Sequence, residues 1–157
     1  GCVNLKDLCI TKEKLVWALY CDLVCLDHDG CVFDASVIAL VAALHTLTLP
    51  RMRHNADTDE REVLEEEPRE ALKLSSIPVT TSFAVLCGRI VADPTAEEEA
   101  LATSTITITI CDATLSYFNK SGGEPVEQEL LDQCIENAMK REKSVRALIK
   151  TMVKNKK

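Results

Sequence analysis

The run Thr103–Cys111 constrains the fold of this chain more than any other segment, because threonine and isoleucine alternate along it. Successive side chains of a strand point to opposite faces, so the isoleucines share one face. The pattern predicts a half-buried strand with the isoleucines inward, followed by a turn at Asp112-Ala113 and a second strand at Thr114–Phe118. Val79–Leu86 and Arg89–Ala92 predict another hairpin, around a Cys-Gly pair whose glycine supplies the positive φ of a tight turn.

The segment Leu15–Leu26 is nearly continuous in apolarity and rich in β-branched and aromatic residues. Such a composition favours a central strand that is covered on both faces. His28-Asp29-Gly30 then predicts a turn, and Cys31–Phe33 predicts the start of a return strand.

Two segments predict helices. Asp34 is expected to cap a helix over Ala35–Leu47, which Pro50 ends, and this helix is apolar nearly all round and therefore expected to be buried. Residues 124–157 predict a long C-terminal helix, since their apolar residues recur with a period near 3.6. Pro94–Leu101 predicts at most a short helical turn.

This order of elements predicts one α+β domain over residues 1–157, with a mostly antiparallel sheet, a buried helix and a long C-terminal helix. Residues 51–70 interrupt the pattern. Within them, positions 57–70 hold eight acids and two arginines without an apolar period, which predicts an acidic solvated loop or insertion.

Charge, cysteines and hydropathy narrow the class of protein. The formal net charge of −7 disfavours indiscriminate nucleic-acid binding, so contact with RNA would need a local basic surface. The eight cysteines lie among apolar residues, which indicates small buried side chains in a reducing compartment rather than a disulfide framework. The longest apolar run, Ala35–Leu49, is too short to span a bilayer, so no membrane partner is expected.

A carboxylate cluster, Asp93 with Glu97–Glu99, follows the predicted strand that contains Val91. Clustered acids at a strand end suggest a divalent metal or an acid–base site. Val91 stands where a D-x-D pair would need its first carboxylate. Magnesium remains an alternative, because it needs only one or two carboxylates beside substrate phosphates. The other alternative is a solvated turn whose acids favour a helix N-terminus near Thr95, and we therefore predict no metal, no cofactor and no catalytic residue.

Cys25, His28 and Cys31 have the spacing of a soft-metal fragment, but a fourth ligand is not evident. Buried cysteines that flank a turn are the simpler interpretation. No sequence signature supports a cysteine nucleophile paired with a histidine.

Two basic segments are candidates for contact with RNA. Arg51 and Arg53 follow the buried helix directly and could face a phosphate backbone, or they could balance the acidic stretch behind them. The last helix carries eight Lys and Arg residues from position 140 onward against one acid, Glu142. These cations complement the helix dipole on a solvated face, and contact with RNA or a partner is the alternative.

Two motif blocks of this sequence resemble the RNase PH-domain family, and within it the non-catalytic ring subunits of the RNA exosome. The resemblance implies a ribosomal protein S5 domain 2-like fold, of which this chain is expected to hold the C-terminal portion. The residues that carry the resemblance are Leu8-Cys9-Ile10, Lys14–Trp17, Asp22, Leu26–Gly30, Phe33–Ala35, Pro78-Val79, Thr81–Ala84, Asp93–Thr95 and Glu97–Glu99.

Active members of the family cleave RNA by phosphorolysis with a D-x-D strand and a further acid. By this resemblance Asp93 matches the second acid of D-x-D and Glu97 the downstream acid, while Val91 replaces the first. The resemblance therefore implies degenerate catalytic positions and a chain that is not an enzyme.

The resemblance also implies partners and a cellular localisation. The expected partners are other RNase PH-like exosome subunits in a hetero-hexameric ring, with single-stranded RNA as the ligand that the ring guides to 3′–5′ processing and degradation, including ribosomal RNA maturation. The expected localisation is nuclear and nucleolar, and also cytoplasmic. Two alternatives remain: a phosphate-dependent 3′–5′ exoribonuclease, and a protein-interaction domain unrelated to RNA. The isolated chain, as part of a larger domain, is expected to self-associate.

Overall fold

The computed structural model describes residues 2–55, 57–123 and 125–154. A single 3₁₀ turn, Leu5–Leu8, precedes the first strand. The three α-helices are α1 (Val32–Thr46), α2 (Ala96–Leu101) and α3 (Gln128–Lys154). The strands are β1 (Cys9–Thr11), β2 (Leu15–Val16), β3 (Thr48–Leu49), β4 (Arg51–His54), β5 (Arg61–Leu64), β6 (Glu70–Ala71), β7 (Pro78–Leu86), β8 (Arg89–Ala92), β9 (Ser104–Cys111) and β10 (Thr114–Gly122).

The central sheet is antiparallel, with its strands in the order β10-β9-β7-β8. The isoleucines of β9 are all fully buried and pack with Phe83 of β7 and with Cys134 and Ala138 of α3. The predicted alternation is therefore confirmed, because the threonines between these isoleucines lie on the other face of the strand. The structure confirms the predicted α+β class with a mostly antiparallel sheet.

Both predicted hairpins are present. Cys87 and Gly88 connect β7 to β8 with φ values of 48° and 71°, and Asp112 and Ala113 connect β9 to β10 with 48° and 62°. Positive φ at both central residues is the backbone of a type I′ turn, whose twist matches that of the flanking strands. The second hairpin is longer than predicted, because β10 continues past Phe118.

Helix α1 differs from the prediction at its start. Cys31 has a left-handed conformation with φ of 49°, and the helix begins at the next residue, so the predicted return strand over Cys31–Phe33 is wrong. Asp34 lies inside the first turn and does not cap the helix, because its carboxylate is engaged by Ser82 on β7. The helix ends at Thr46, before Pro50, because the chain turns extended at Leu47.

Helix α3 lies against β7 and β9, and its buried residues Cys134, Ala138, Glu142 and Ile149 form the stripe that a helix presents to a sheet. A second core cluster joins Ile149 to Val41 of α1 and to Ile77 and Val79 beside or on β7. Helix α2 is the short helical turn that was predicted, over Ala96–Leu101.

The predicted central strand over Leu15–Leu26 is wrong for most of its length. Only Leu15 and Val16 pair, with β1, and residues 20–29 are exposed. The side chains of Tyr20, Val24 and Leu26 are 91%, 79% and 94% exposed. A continuous apolar run predicts cover on both faces, but in the described part of the chain no further strand lies beside this one.

The predicted loop over residues 51–70 is partly a β-hairpin, since β4 pairs with β5. Arg51 lies opposite Leu64, and His54 lies opposite Arg61. We call residues 51–70 the arm. Its acids are solvated, as predicted. Arg51 and Arg53 form ion pairs with acids of the arm, and a ring nitrogen of His54 lies 2.9 Å from the Asp59 carboxylate.

All eight cysteines are free thiols. Only Cys31 and Cys134 are buried, and the expectation that the cysteines are small core residues is wrong for the exposed ones at positions 9, 21, 25 and 87. Two of these lie on the uncovered segment after β2. Across the described residues, every helix falls short of the length and apolarity that crossing a membrane requires.

The exposed segment after β2 predicts self-association of the isolated chain, because contiguous apolar surface on a protein in water is an interaction or aggregation site. The double variant Val24→Ser/Leu26→Ser should therefore sediment nearer the monomer mass than the wild-type chain. Leu5→Ser is the matched control, because Leu5 is also exposed, at 77%, but lies outside the segment. A wild-type chain that sediments as a monomer at micromolar concentration would contradict this prediction.

Candidate functional site

The candidate site begins where β8 ends. Asp93 directly follows β8 and has a left-handed backbone with φ of 56°, which turns the chain sharply. Its N–H donates to the carbonyl oxygen of Ser82 at 3.2 Å, so the turn is fixed to β7. The side chain of Asp93 remains 72% exposed.

Val91 lies two residues before Asp93 on β8, opposite Ala84 of β7. Its isopropyl group is half-buried and has no atom that can bind a cation or accept a proton. Glu97, in the first turn of α2, is exposed. The structure thus keeps Asp93 and Glu97 on the surface and places an apolar side chain at position 91.

The other two acids of the cluster have structural partners. Glu98 forms a capping box with Thr95: its carboxylate accepts from the Thr95 N–H at 2.8 Å, and its own N–H donates to the Thr95 hydroxyl at 3.3 Å. The Glu99 carboxylate accepts from the N–H of Cys31 at 2.9 Å. Sequence reasoning anticipated acids near the helix start at Thr95 but missed the bond from Cys31, which joins residues far apart in the chain.

Two reciprocal hydrogen bonds join the starts of α1 and α2. Glu99 of α2 accepts the N–H of Cys31 just before α1, and in return Asp29 accepts the N–H of Ala96 at the start of α2 at 3.1 Å. Each carboxylate satisfies a free donor of the other helix. Gly30 is required between them, because a Cβ there would lie 2.1 Å from the carbonyl oxygen of Pro94, at a φ of +84°.

The Cys31 thiol is part of this junction and donates to the carbonyl oxygen of Pro94. Burial, together with the nearby carboxylates of Asp34, Asp93 and Glu99, raises the pKa of this thiol to about 12. The thiol therefore stays protonated at neutral pH, and a thiol is a poor nucleophile and metal ligand.

Asp34 is the buried centre of the site. Its carboxylate accepts from both the N–H and the hydroxyl of Ser82, each at 2.8 Å, and only 1% of the residue is exposed. The Ser82 N–H is available because β8 pairs with β7 only from Phe83 to Leu86. Burial raises the pKa of the Asp34 carboxyl above its ordinary value, against the opposing effects of Ser82 and of Arg141.

Arg141 of α3 brings Asp34 and Asp93 together. Its Nη1 lies 3.4 Å from the Asp34 carboxylate and 4.0 Å from that of Asp93. One guanidinium therefore lies beside both acids, and it opposes the rise in the pKa of Asp34. Within the described residues, no three His, Cys, Asp or Glu side chains come together as metal ligands would. The site can anchor helices electrostatically, and it presents no assembled acid–base pair.

The soft-metal spacing at Cys25, His28 and Cys31 is not brought together in space. The Cys25 thiol is exposed and donates to the carbonyl oxygen of Asp27, whereas the buried Cys31 thiol faces Pro94. The interpretation as buried cysteines flanking a turn is confirmed for Cys31 and wrong for Cys25, which lies on the exposed segment after β2.

Arg51 and Arg53 lie on the arm and already have carboxylate partners. Arg51 contacts Glu67 at 3.2 Å and Glu70 at 2.8 Å, and Arg53 contacts Glu62 at 3.8 Å. These ion pairs fit the alternative in which the two arginines balance the acidic stretch. Their role in RNA binding stays a prediction.

Comparison with known proteins gives the family. Residues 4–50 match the model of the 3′ exoribonuclease family, domain 1, and residues 76–141 match that of the same family, domain 2. Together the two matches cover well over half of the chain. The chain belongs to the 3′ exoribonuclease (RNase PH) family. The residues between Leu8 and Ala35 that carry the resemblance lie within the match to domain 1. This RNase PH-family chain therefore contains sequence that matches both domains, and the arm lies between the two matches.

Individual relatives agree with this assignment. The chain is 37% identical over 137 residues to exosome complex component rrp43 of Schizosaccharomyces pombe, covering 87% of this chain and 50% of that protein. It is 34% identical over 148 residues to exosome complex component Rrp42 of Pyrococcus furiosus, covering 94% and 53%. The archaeal exosome core structure superposes with a TM-score of 0.79 at 26% identity, covering 95% of this chain and 57% of that one. The chain spans about half the length of the curated relatives it matches.

The contact between Asp34 and Ser82 predicts a large loss of stability in Asp34→Ala. This variant leaves the Ser82 N–H and the Arg141 guanidinium without their buried acceptor, and breaking a buried charge pair costs about 3–5 kcal/mol. Asp29→Ala is the matched control, since it removes a carboxylate that caps a helix start near the surface, at about 1 kcal/mol. Urea denaturation measures both, and equal losses would contradict the central role of Asp34.

The contact between Asp34 and Ser82 also predicts how the free energy of unfolding depends on pH. Because the pKa of Asp34 is raised in the folded protein, the folded state holds this proton more tightly than the unfolded state does. The free energy of unfolding of the wild type should rise as the pH falls through the folded pKa toward the ordinary value near 3.8. Asp34→Asn should lack this rise, and an unchanged pH profile in that variant would contradict the assignment.

Proposed function

We propose that this chain is a non-catalytic RNase PH-like subunit of an RNA exosome ring. In this role it contributes to the wall of the ring and guides single-stranded RNA toward nucleases elsewhere in the complex, in 3′–5′ processing and degradation that includes ribosomal RNA maturation. It would act in the nucleus and nucleolus and also in the cytoplasm. The free thiols are compatible with the reducing conditions of those compartments.

The proposal that the chain is not a catalyst rests on the residues at the degenerate positions Val91, Asp93 and Glu97. Val91 supplies no carboxylate, and Asp93 lies 4.0 Å from the Arg141 guanidinium. Without a carboxylate at position 91, Asp93 has no paired acid on β8, and a paired-acid mechanism of phosphorolysis lacks its first acid here.

The ring role is supported by the names of the relatives and by the surface of the sheet. The similar proteins are described as exosome complex components, and the similar structure is an archaeal exosome core. At one edge of the sheet, β10 pairs with β9 and with no other strand of the described residues, and it exposes Leu115, Tyr117 and Phe118 by 45%, 48% and 42%. A long edge strand with exposed apolar side chains is suited to contact with a neighbouring subunit.

Affinity capture tests the ring role. The tagged full-length protein, captured from its own cells, should bring down other RNase PH-like subunits in comparable amounts, as quantified by mass spectrometry. Capture with the tag alone is the control. Recovery of the protein without any RNase PH-like partner would refute the ring role and favour a free-standing interaction domain.

Catalytic inactivity is tested separately. The captured chain, separated from its partners, should release no nucleoside diphosphates from single-stranded RNA in the presence of phosphate, whereas an active family member does so under the same conditions. Phosphate-dependent turnover that disappears in Asp93→Ala would establish the exoribonuclease alternative instead.

A further inference from the structure

Three lysines form an exposed row along α3. Lys140, Lys143 and Lys150 are all exposed, and none of them belongs to the stripe that packs on the sheet. We call these three residues the lysine ridge. With a rise of about 1.5 Å per residue, the ridge is about 15 Å long.

The arginines of the same helix are engaged elsewhere. Arg141 is paired with Asp34 and Asp93, while Arg146 contacts Asp112 and the buried Glu142. For the lysine ridge, by contrast, no carboxylate oxygen of the described residues lies within 4.0 Å of a lysine nitrogen. Among the described residues, Glu129, Asp132 and Glu136 precede Lys140 on that side of the helix, and none of them forms an ion pair within this distance either.

The helix dipole accounts for only part of the ridge. Cations complement the dipole within the last turn of a helix, and the effect falls off beyond it. Because α3 ends at Lys154, Lys150 lies near its last turn, but Lys143 and Lys140 lie roughly three and four turns before the end. Their charge is therefore not explained by the helix terminus.

The arginine pair of the arm, Arg51 and Arg53, is engaged in ion pairs. Arg51 and Arg53 have acidic partners, so an RNA phosphate would have to displace a carboxylate to reach either of them. Lysine binds a phosphate as a point charge on a flexible stem, and a backbone contact requires only such a charge in reach. On a chain with a net charge of −7, an unpaired basic row is a local exception.

We propose that the lysine ridge of α3 is a contact for the phosphate backbone of single-stranded RNA, and that it, rather than the arginine pair of the arm, guides RNA on this subunit. The inference rests on the proposed function, since that function supplies the ligand. It assigns the binding to charge alone, so the contact has no preference for RNA sequence.

Fluorescence anisotropy with labelled oligouridine over a range of salt concentrations tests this proposal. The triple variant Lys140→Gln/Lys143→Gln/Lys150→Gln should bind more weakly than the wild-type chain. Its plot of log affinity against log salt should be flatter by about 2, since each phosphate contact to a single strand contributes about 0.7 to the slope. Two matched controls, Arg51→Gln/Arg53→Gln and Lys73→Gln, should keep the wild-type slope. Unchanged melting temperatures show that the variants are folded.

The outcomes separate this inference from the proposed function. A loss of affinity in the arginine variant but not in the lysine variant would overturn the assignment to α3, as would an absence of oligouridine binding by the wild-type chain. If the lysine variant binds RNA normally but no longer captures RNase PH-like subunits, the ridge is a protein contact and the proposal is wrong. In each of these cases affinity capture by the wild-type protein still decides the ring role.

Discussion

The structure depends on one buried carboxylate. Asp34 takes the place of a strand partner for the Ser82 N–H, at the point along β7 where β8 no longer pairs. A buried backbone donor without an acceptor is costly, so this bond fixes α1 beside the sheet. Because the carboxylate stays buried, it also needs a cation, and Arg141 supplies one from α3. A single side chain thus connects the sheet with both long helices.

The same junction surrounds Asp93. The guanidinium that compensates Asp34 also approaches Asp93, and the reciprocal bonds of Asp29 and Glu99 hold the loop around Asp93 against the start of α1. Two carboxylates of this region therefore hold helix starts together, whereas Asp93 and Glu97 stay on the surface.

The arginines and the ridge lysines of this chain differ in their surroundings. Arg51, Arg141 and Arg146 are paired with carboxylates, whereas the lysines of the α3 ridge face solvent. Arginine suits fixed pairs because its planar fork matches a carboxylate, and lysine suits mobile contacts. An acidic protein can therefore hold RNA locally without carrying a positive net charge.

Elements that follow local rules can be predicted from the amino-acid pattern. Alternation in β9, the turn at Cys87-Gly88 and the apolar stripe of α3 are each set by backbone geometry and burial. The partners of polar groups, by contrast, follow from contacts between distant parts of the chain. Asp34 has the local signature of a helix cap, but its strongest donor is Ser82, far along the chain. The apolar run Leu15–Leu26 likewise predicts a buried strand, yet burial depends on neighbours that a linear pattern does not specify.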